Sequence, residues 1–321
     1  MTADRRATGS TFTTQQLHVF HTVAQTGNFT RAAELLHLAQ PAVSAHIAAL
    51  QAHLGVRLFA REGRGARLTE AGAEFAAYAE QLLAAQARVR QAAEDMRALR
   101  RGSVHVAAST TAGIYVVPPL LGAFHRRYPG LRISLAVANR GTVLQRVQAG
   151  DSDLGILGML EPSEKVVAEP FLPNELVVIA PPWHQLAQRA ARAGPIALAA
   201  LAAEPLLTRE PGSGTRTDME QIFARAGLTM HIGQELGSTG AIKEGVLAGL
   251  GLAVVPRTAI ALHLETAELV ILPVAGFPVR RDWHVARLTA RTLSPAAAAL
   301  RAQLLQTPAD AAAHLVTFTA T

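Results

Sequence analysis

Residues 29–44 read Phe29-Thr-Arg-Ala-Ala-Glu-Leu-Leu-His-Leu-Ala-Gln-Pro-Ala-Val-Ser44, and this stretch predicts two short helices joined by a turn. Ala32-Ala33 are small where the two helices must cross closely, and the turn falls near His37–Ala39. Pro41 suits the first turn of the second helix. Spacings of three and four residues then place four apolar side chains on one face of that helix: Val43, Ile47, Leu50 and Leu54. The stretch predicts a helix-turn-helix.

The opposite face of the second helix carries the small residues Pro41, Ala45 and Ala48. Small residues let a helix backbone approach a major groove closely, while Gln40 and Ser44 supply hydrogen bonds to base edges. The alternative is an ordinary helical hairpin packed on a core. We predict DNA contacts from this motif at Thr30, Arg31, Gln40, Pro41, Ser44 and Ala45.

A stretch broken by two glycines follows, Arg61-Glu-Gly-Arg-Gly-Ala-Arg67, and it predicts a short hairpin. As a wing beside the helix-turn-helix, this hairpin offers Arg61, Arg64 and Arg67 to phosphates or to the minor groove. A purely structural role is the alternative for Arg67, which has Glu70 and Glu74 nearby in sequence. Because this arginine-flanked β-hairpin follows directly, we favour a DNA-binding helix-turn-helix over the alternative of an ordinary helical hairpin packed on a core.

The composition is compatible with this interpretation and excludes several others. The formal charge is +6 and nearly all basic residues are arginine, which suits phosphate but also reflects an arginine-favouring genome. The chain has no cysteine, which excludes disulfides, thiolate metal sites and a cysteine nucleophile. No secretory signal and no membrane-spanning apolar run is visible, so we expect a cytoplasmic protein that does not engage a membrane.

From Thr69 to Arg100 there is no proline, and Gly72 stands near the start, so one long helix with Thr69 as its N-cap is predicted. Its length suits a dimerising strut. After Arg101-Gly102 the chain alternates strand-like and helix-like stretches, which predicts parallel α/β layering in two lobes. The predicted strands are 104–108, 133–138, 154–157, 176–180, 206–207, 252–255, 269–274 and 283–288.

A spaced set of residues closely resembles the N-terminus of LysR-type transcriptional regulators. The set is Ala32-Ala-Glu-Leu35, Gln40-Pro-Ala-Val-Ser44, Ile47, Leu50, Leu54-Gly55, Leu58-Phe59, Arg61 and Leu68-Thr-Glu-Ala-Gly72. The resemblance implies an α plus α/β architecture: a winged helix-turn-helix, a long linker helix and a two-lobed effector domain akin to a type 2 periplasmic binding protein. It departs from the family at Ala45, often a long polar residue, and at Gln51, usually Glu. Since Ala45 cannot hydrogen-bond a base, specificity shifts toward Gln40, Ser44 and the wing.

We accordingly expect a DNA-binding domain at 13–70, a linker and dimerisation helix at 71–101 and an effector domain at 103–306. Within the effector domain, lobe 1 is expected at about 103–168 and 283–306, and lobe 2 at about 169–282. The resemblance also implies a homodimer or homotetramer on double-stranded promoter DNA, and it leaves open a contact with RNA polymerase.

Small polar residues cluster at four predicted strand-to-helix junctions: 109–113, 139–142, 212–216 and 237–240. Helix N-termini present unpaired N–H groups, so junctions meeting between the lobes predict a site for a small anionic metabolite. Simple helix capping is the alternative for each junction alone. The predicted effector residues are Ser109, Thr110, Thr111, Asn139, Arg140, Gly212, Ser213, Gly214, Thr215, Arg216, Ser238 and Thr239, with Arg209 as a more speculative addition.

Three further strings resemble the branch of the family that controls Calvin-cycle (RuBisCO) operons: 109–124, 209–216 and Gly276-Phe-Pro-Val-Arg-Arg-Asp-Trp283. That branch implies a sugar bisphosphate, a phosphorylated glycolytic acid or a reduced nicotinamide nucleotide as effector. Relatives responding to sulfur or other metabolites look similar.

Catalysis finds no support in the sequence. There is no metal-binding histidine spacing, no Gly-x-Ser-x-Gly elbow and no phosphate-binding loop ending in Gly-Lys-Ser/Thr. We expect no catalytic residue, no metal ligand and no cofactor. The main competitor to a ligand-responsive regulator is a cytoplasmic small-molecule binding protein whose N-terminal helices make protein contacts only.

Overall fold

A computed structural model describes residues 12–62, 65–158 and 165–308, with only the backbone described at residues 61 and 62. The chain divides into two compact units, Met1–Glu94 and Asp95–Thr321. The elements of the first unit are α1 (Thr14–Thr26), α2 (Phe29–Leu36), α3 (Gln40–Leu54), the antiparallel pair β1 (Phe59–Glu62) and β2 (Gly65–Leu68), and α4 (Glu70–Arg97), which extends past the boundary.

Local signals set the helix ends of the first unit. Thr13 and Gln16 form a reciprocal capping box at the start of α1, and Asn28 accepts hydrogen bonds from the first N–H groups of α2. Gly27 ends α1 in the left-handed conformation, φ 60°, where glycine pays no Cβ penalty. The hydroxyl of Thr69 accepts from the N–H of Gly72 at 3.0 Å, which caps α4 as the sequence predicts.

An aromatic cluster holds the first unit together. The ring of Phe20, on α1, lies 5.3 Å from that of Phe59 on the wing and 5.0 Å from that of Phe75 on α4. α4 also passes close to the backbone before β1, since a Cβ on Gly72 would lie 2.0 Å from the carbonyl oxygen of Leu58. The helix-turn-helix, wing and start of α4 thus share one core. Farther along α4, large apolar side chains are exposed: Tyr78, Leu82, Val89 and Met96.

The second unit contains one mixed sheet flanked by helices. Its strands are β3 (Gly102–Ser109), β4 (Leu131–Ala138), β5 (Leu154–Leu157), β6 (Val166–Ala180), β7 (Leu206–Thr208), β8 (Ile232–Glu235), β9 (Leu252–Pro256), β10 (Val270–Leu272) and β11 (Val279–Leu288). Its helices are α5 (Val117–Arg127), α6 (Arg140–Ala149), α7 (Gln185–Ala193), α8 (Leu198–Ala202), α9 (Gly214–Arg225), α10 (Thr239–Leu247), α11 (Ala261–Glu265) and α12 (Pro295–Leu305). A π-helical turn, Ala112–Val116, precedes α5, and a 3-10 turn, Arg257–Ala259, precedes α11.

Two long strands join two lobes. The sheet order is β4-β3-β5-β11-β6-β9-β7-β8, with β10 also paired to β6. β6 contributes Phe171 and Leu172 to the core of the first lobe, then Leu176 and Val178 to the core of the second. β11 crosses similarly, with Val279 packed on the second core and Trp283 inside the first. The lobes therefore meet where β6 and β11 pass from one core to the other.

The sheet corrects part of the sequence interpretation. β3, β4 and β5 are parallel, as are β7, β8 and β9, in line with the predicted layering. β6 and β11 instead pair antiparallel with each other and with their outer neighbours, so purely parallel layering was wrong. Strand β8 was not predicted, because its residues, Ile-Gly-Gln-Glu, are mostly polar and exposed. Buried apolar runs identified the central strands, and this edge strand has none.

Candidate functional site

The first unit has a groove between α3, the second helix of the helix-turn-helix and here called the recognition helix, and the wing formed by β1 and β2. Thr30, Gln40 and Ser44 line it together with backbone and small residues of β1 and β2, and its volume is about 480 Å³. The amide of Gln40 donates to the hydroxyl of Ser44 at 3.1 Å. The buried face of α3 holds Val43, Ile47 and Leu50, which turns the polar pair outward. Three predicted DNA contacts are thus adjacent and accessible.

The remaining predicted DNA contacts lie outside this groove. Pro41 and Ala45 are exposed on α3, and Arg31 is exposed on α2, where it pairs with Glu34 at 2.7 Å. Arg67 is exposed on β2. The side chain of Arg61 and the whole of Arg64 lie outside the described residues.

Gln51 fixes the wing to the recognition helix. Its side-chain oxygen accepts hydrogen bonds from the N–H groups of Leu58 at 2.7 Å and Phe59 at 3.3 Å, where β1 begins. A second tie is backbone only: the N–H of Ala66 donates to the carbonyl of Gly27 at 2.8 Å. An acceptor oxygen is what this position requires, and glutamine provides it as glutamate would. The sequence showed the departure at Gln51 but not its role.

In the second unit a cavity lies where the two lobes meet. It is lined from the first lobe by Ser109, Thr110, Thr111, Asn139, Arg140 and Gly158, from the second by Arg209, Ser213, Gly214, Thr215 and Asp218, and from β11 by Arg281 and Trp283. It leaves about 30 Å³ for the centres of water-sized molecules. That is room for about two waters, so the lobes are nearly closed on each other.

At three of the predicted strand-to-helix junctions, the residue before the helix differs in whether its side chain caps the helix. Asn139 accepts from the N–H of Thr142 at 2.9 Å and Ser238 accepts from that of Ala241 at 3.0 Å, so both are caps. Ser213, at the N-cap of α9, makes no such bond. Capping therefore accounts for Asn139 and Ser238, while the Ser213 hydroxyl and the first N–H groups of α9 stay available to the cavity.

A second group of predicted residues is engaged in joining the lobes. The hydroxyls of Thr111 and Thr239 lie 2.9 Å apart, and the buried guanidinium of Arg209 donates to Thr110 at 3.2 Å and Thr239 at 3.4 Å. Glu210 neutralises Arg209 with hydrogen bonds of 2.7 and 2.8 Å. These side chains hold the lobes together, and little of the charge of Arg209 is left for a ligand.

Besides Arg209, two cations face the cavity with different surroundings. Arg281 is buried and paired with the buried carboxylate of Asp218. Burial, and then the like charge of Arg140, lowers the pKa of Arg281 to about 10, so it stays cationic at neutral pH. Arg140 is half-buried, and its Cδ lies 3.6 Å from where a Cβ on Gly214 would stand. No ion pair joins Arg140 to any other residue that the structure describes.

Four predicted effector residues do not line the cavity: Gly212, Arg216, Ser238 and Thr239, the last of which bonds Thr111 and Arg209 instead. Arg216 turns away to Glu220 at 2.8 Å and to Glu235, and these hydrogen bonds raise its pKa. Gly212 and Ser238 flank the junctions without reaching the lining. The sequence missed Gly158, Asp218, Arg281 and Trp283. The signal for two of them was present in Arg280-Arg281-Asp-Trp283, where alternation on a strand puts residues 281 and 283 on the same face.

The cavity lining is rich in groups that can bind an anion. Its lining combines the N-terminus of α9 with hydroxyl side chains and the guanidinium groups of Arg140, Arg209 and Arg281, all of them hydrogen-bond donors suited to an anion. Among residues 12–62, 65–158 and 165–308, no cluster of histidine, aspartate and glutamate side chains is suited to a metal ion.

The chain matches two family profiles. "Bacterial regulatory helix-turn-helix protein, lysR family" matches residues 14–73, and "LysR substrate binding domain" matches residues 97–309. The "RuBisCO operon transcriptional regulator" of Allochromatium vinosum is 41% identical over 287 residues, which is 89% of this chain and 93% of that protein.

Solved structures agree with the fold. The regulatory domain of Synechocystis CcmR, in complex with 2-PG, is 36% identical, with a TM-score of 0.59 over 64% of this chain and 96% of that one. A full-length OxyR variant from Pseudomonas aeruginosa, 24% identical, has a TM-score of 0.75 over 92% of this chain and 100% of that one. Within the described part of the chain, no helix is both long and apolar enough to traverse a membrane.

Proposed function

The chain belongs to the LysR family of bacterial transcriptional regulators, and we propose that it controls a RuBisCO operon in response to a small phosphorylated acid bound between its lobes. Like its relatives it is a DNA-binding regulator and not an enzyme. The operon follows from the name of the Allochromatium relative, and the ligand class from the 2-PG (2-phosphoglycolate) bound to the CcmR domain.

The proposed ligand class is supported by the charge and the size of the cavity. A compact anion is favoured by Arg140, which forms no ion pair with the described residues, by the α9 N-terminus without a side-chain cap, and by the small volume. A sugar bisphosphate or a dinucleotide is larger and would need a wider opening of the lobes than a compact anion does. Of the three effector classes that the sequence leaves open, the phosphorylated glycolytic acid is the smallest, and 2-phosphoglycolate shares its phosphate and carboxylate groups.

On the DNA side we propose contacts to bases from Gln40 and Ser44 and to phosphates from the wing. The domain limits 13–70, 71–101 and 103–306 remain our proposal for the functional division. The exposed apolar side chains of α4 support a homodimer or homotetramer, because a stripe of this kind is costly to leave in water. Double-stranded promoter DNA as the partner implies a cytoplasmic location.

Calorimetric titration of the full chain tests the ligand. We expect 2-phosphoglycolate to bind more tightly than ribulose bisphosphate and NADPH, and to stabilise the chain by about 2.7 kcal/mol at a hundred times its dissociation constant. Tight binding of NADPH alone would contradict the proposed ligand class.

A gel shift on the promoter of the RuBisCO operon tests the DNA partner. Retardation should weaken steeply with rising salt, because phosphate contacts release counterions. The double variant Gln40→Ala with Ser44→Ala should lose the specific complex, and an unchanged complex in this variant would refute the assigned base contacts.

A further inference from the structure

Trp283 stands on β11 where that strand passes between the lobes. Its side chain is 2% exposed and lines the cavity. The ring also packs in the apolar core of the first lobe. Core packing explains why the ring is buried. It does not explain the indole N–H, which finds no acceptor among the residues that the structure describes.

A buried indole N–H without an acceptor is costly, because it loses its hydrogen bond to water and gains nothing in return. The same holds for the Nε of Arg281, which is buried and has no acceptor among the described residues. Residues 281 and 283 are two apart on one strand and share a face. Both line the cavity, so two neighbouring donors on one strand lack acceptors at the same site.

The cavity lining therefore contains two sets of donors from different elements. The first set is the N–H groups at the start of α9, the Ser213 hydroxyl and Arg140, which suit a phosphate. The second set is one N–H from Arg281 and one from Trp283, both on β11, which suit the two oxygens of a carboxylate. Asp218 binds the terminal nitrogen of Arg281 and leaves its Nε free.

The geometry points to Trp283 as the residue that recognises the carboxylate of the effector, through a hydrogen bond from its indole N–H. This inference rests on the proposed function and extends it. With a donor fixed in a buried wall, a phosphorylated ligand that lacks the carboxylate leaves that donor unpaired. The site then discriminates a phosphorylated acid from a simple alkyl phosphate.

Calorimetry on the full chain tests the assignment with 2-phosphoglycolate and with ethyl phosphate, which has no carboxylate. The wild-type chain should prefer 2-phosphoglycolate. Trp283→Phe keeps most of the ring and removes the N–H, so it should weaken 2-phosphoglycolate binding by about tenfold or more and leave ethyl phosphate within about twofold. Trp183→Phe, at a tryptophan that is 60% exposed, is the matched control and should change neither.

Two results would overturn the assignment: wild-type affinity of Trp283→Phe for 2-phosphoglycolate, or equal weakening of both ligands. Absence of any 2-phosphoglycolate binding to the wild-type chain would instead remove the proposed function, and the inference with it.

A second measurement does not depend on the folding of Trp283→Phe. The chain has only two tryptophans, so Trp183→Phe leaves Trp283 as the sole fluorophore of its kind. Saturating 2-phosphoglycolate should change the emission of Trp283 in this variant, and ethyl phosphate should change it less. Unchanged emission at a concentration that calorimetry shows to be saturating would overturn the inference.

Discussion

The groove of the DNA-binding unit and the cavity of the effector unit use polar side chains in opposite ways. In the groove, Gln40 and Ser44 are accessible to water and form a hydrogen bond with each other, so their polar groups have partners in the absence of DNA. In the cavity, Trp283 and the Nε of Arg281 are buried and have no acceptor among the described residues. An exposed pair costs little to keep, whereas buried donors lower stability until a ligand satisfies them. The effector unit should therefore be stabilised when its ligand binds, whereas Gln40 and Ser44 should contribute to the affinity for DNA and little to stability.

The largest effect is expected from Asp218→Ala, which leaves the buried cation of Arg281 without its counter-ion. We expect the free energy of unfolding to fall by about 3–5 kcal/mol. Both tryptophans belong to the effector unit, so urea unfolding followed by their fluorescence reports on that unit.

Glu220→Ala, on the same helix, is the control. Its carboxylate pairs with Arg216 but is 48% exposed, and its loss should cost no more than about 0.5 kcal/mol. Equal costs for the two variants would contradict the burial of Arg281 and Asp218 in the cavity wall.

Arg140→Ala should separate affinity from stability. Because no described residue forms an ion pair with Arg140, and its charge repels that of Arg281, its removal should not lower the unfolding midpoint. The affinity for 2-phosphoglycolate should fall about 10- to 100-fold, as expected when a charge-assisted hydrogen bond is lost. Calorimetry measures this, with Arg132→Ala on the exposed side of β4 as the control. A destabilised Arg140→Ala chain that bound the ligand normally would reverse the roles assigned to Arg140 and Asp218.

On the DNA-binding side, Gln51→Ala should act through the wing. Two backbone N–H groups lose their acceptor, at a cost of about 1–2 kcal/mol, and operator affinity should fall about tenfold as the wing loosens. Gln51→Glu keeps the acceptor oxygen and should retain most of the affinity in a gel shift. If Gln51→Glu is as impaired as Gln51→Ala, the oxygen is not what matters.

The smallest effects are expected from substitutions at the N-caps of α6 and α9. Asn139→Ala removes the cap of α6 and should destabilise the effector unit by about 1 kcal/mol. Ser213→Ala removes a hydroxyl that caps nothing, so it should reduce effector affinity without lowering stability. Urea unfolding and calorimetry on both variants check this. A stability loss in Ser213→Ala equal to that in Asn139→Ala would make Ser213 an ordinary cap.

Much of the fold could be predicted from the sequence, because capping residues and apolar spacing indicate the same elements. The apolar stripe of Val43, Ile47 and Leu50 and the cap at Thr69 specify α3 and α4 without reference to distant contacts. The antiparallel crossing of β6 and β11 was not readable, because each strand changes cores along its length and no local residue marks the change. Pairing direction between segments a hundred residues apart depends on tertiary packing.

The site was predictable to the extent that junction chemistry is local. Sequence alone placed Ser109, Asn139 and Ser213 at strand-to-helix junctions, where the structure has them. It did not distinguish a capping Asn139 from a non-capping Ser213, since both residue types suit either role. Arg281 and Trp283 were missed because a strand's role in lining a cavity depends on which elements cover it.

DNase I footprinting on the promoter of the RuBisCO operon, with and without 2-phosphoglycolate, tests the central claim most directly. For the wild-type chain we predict that the ligand alters the protected region or its pattern of enhanced cleavage. The Arg140→Ala chain should give the ligand-free footprint under both conditions. Identical wild-type footprints at a saturating ligand concentration would contradict an effector cavity that governs DNA binding.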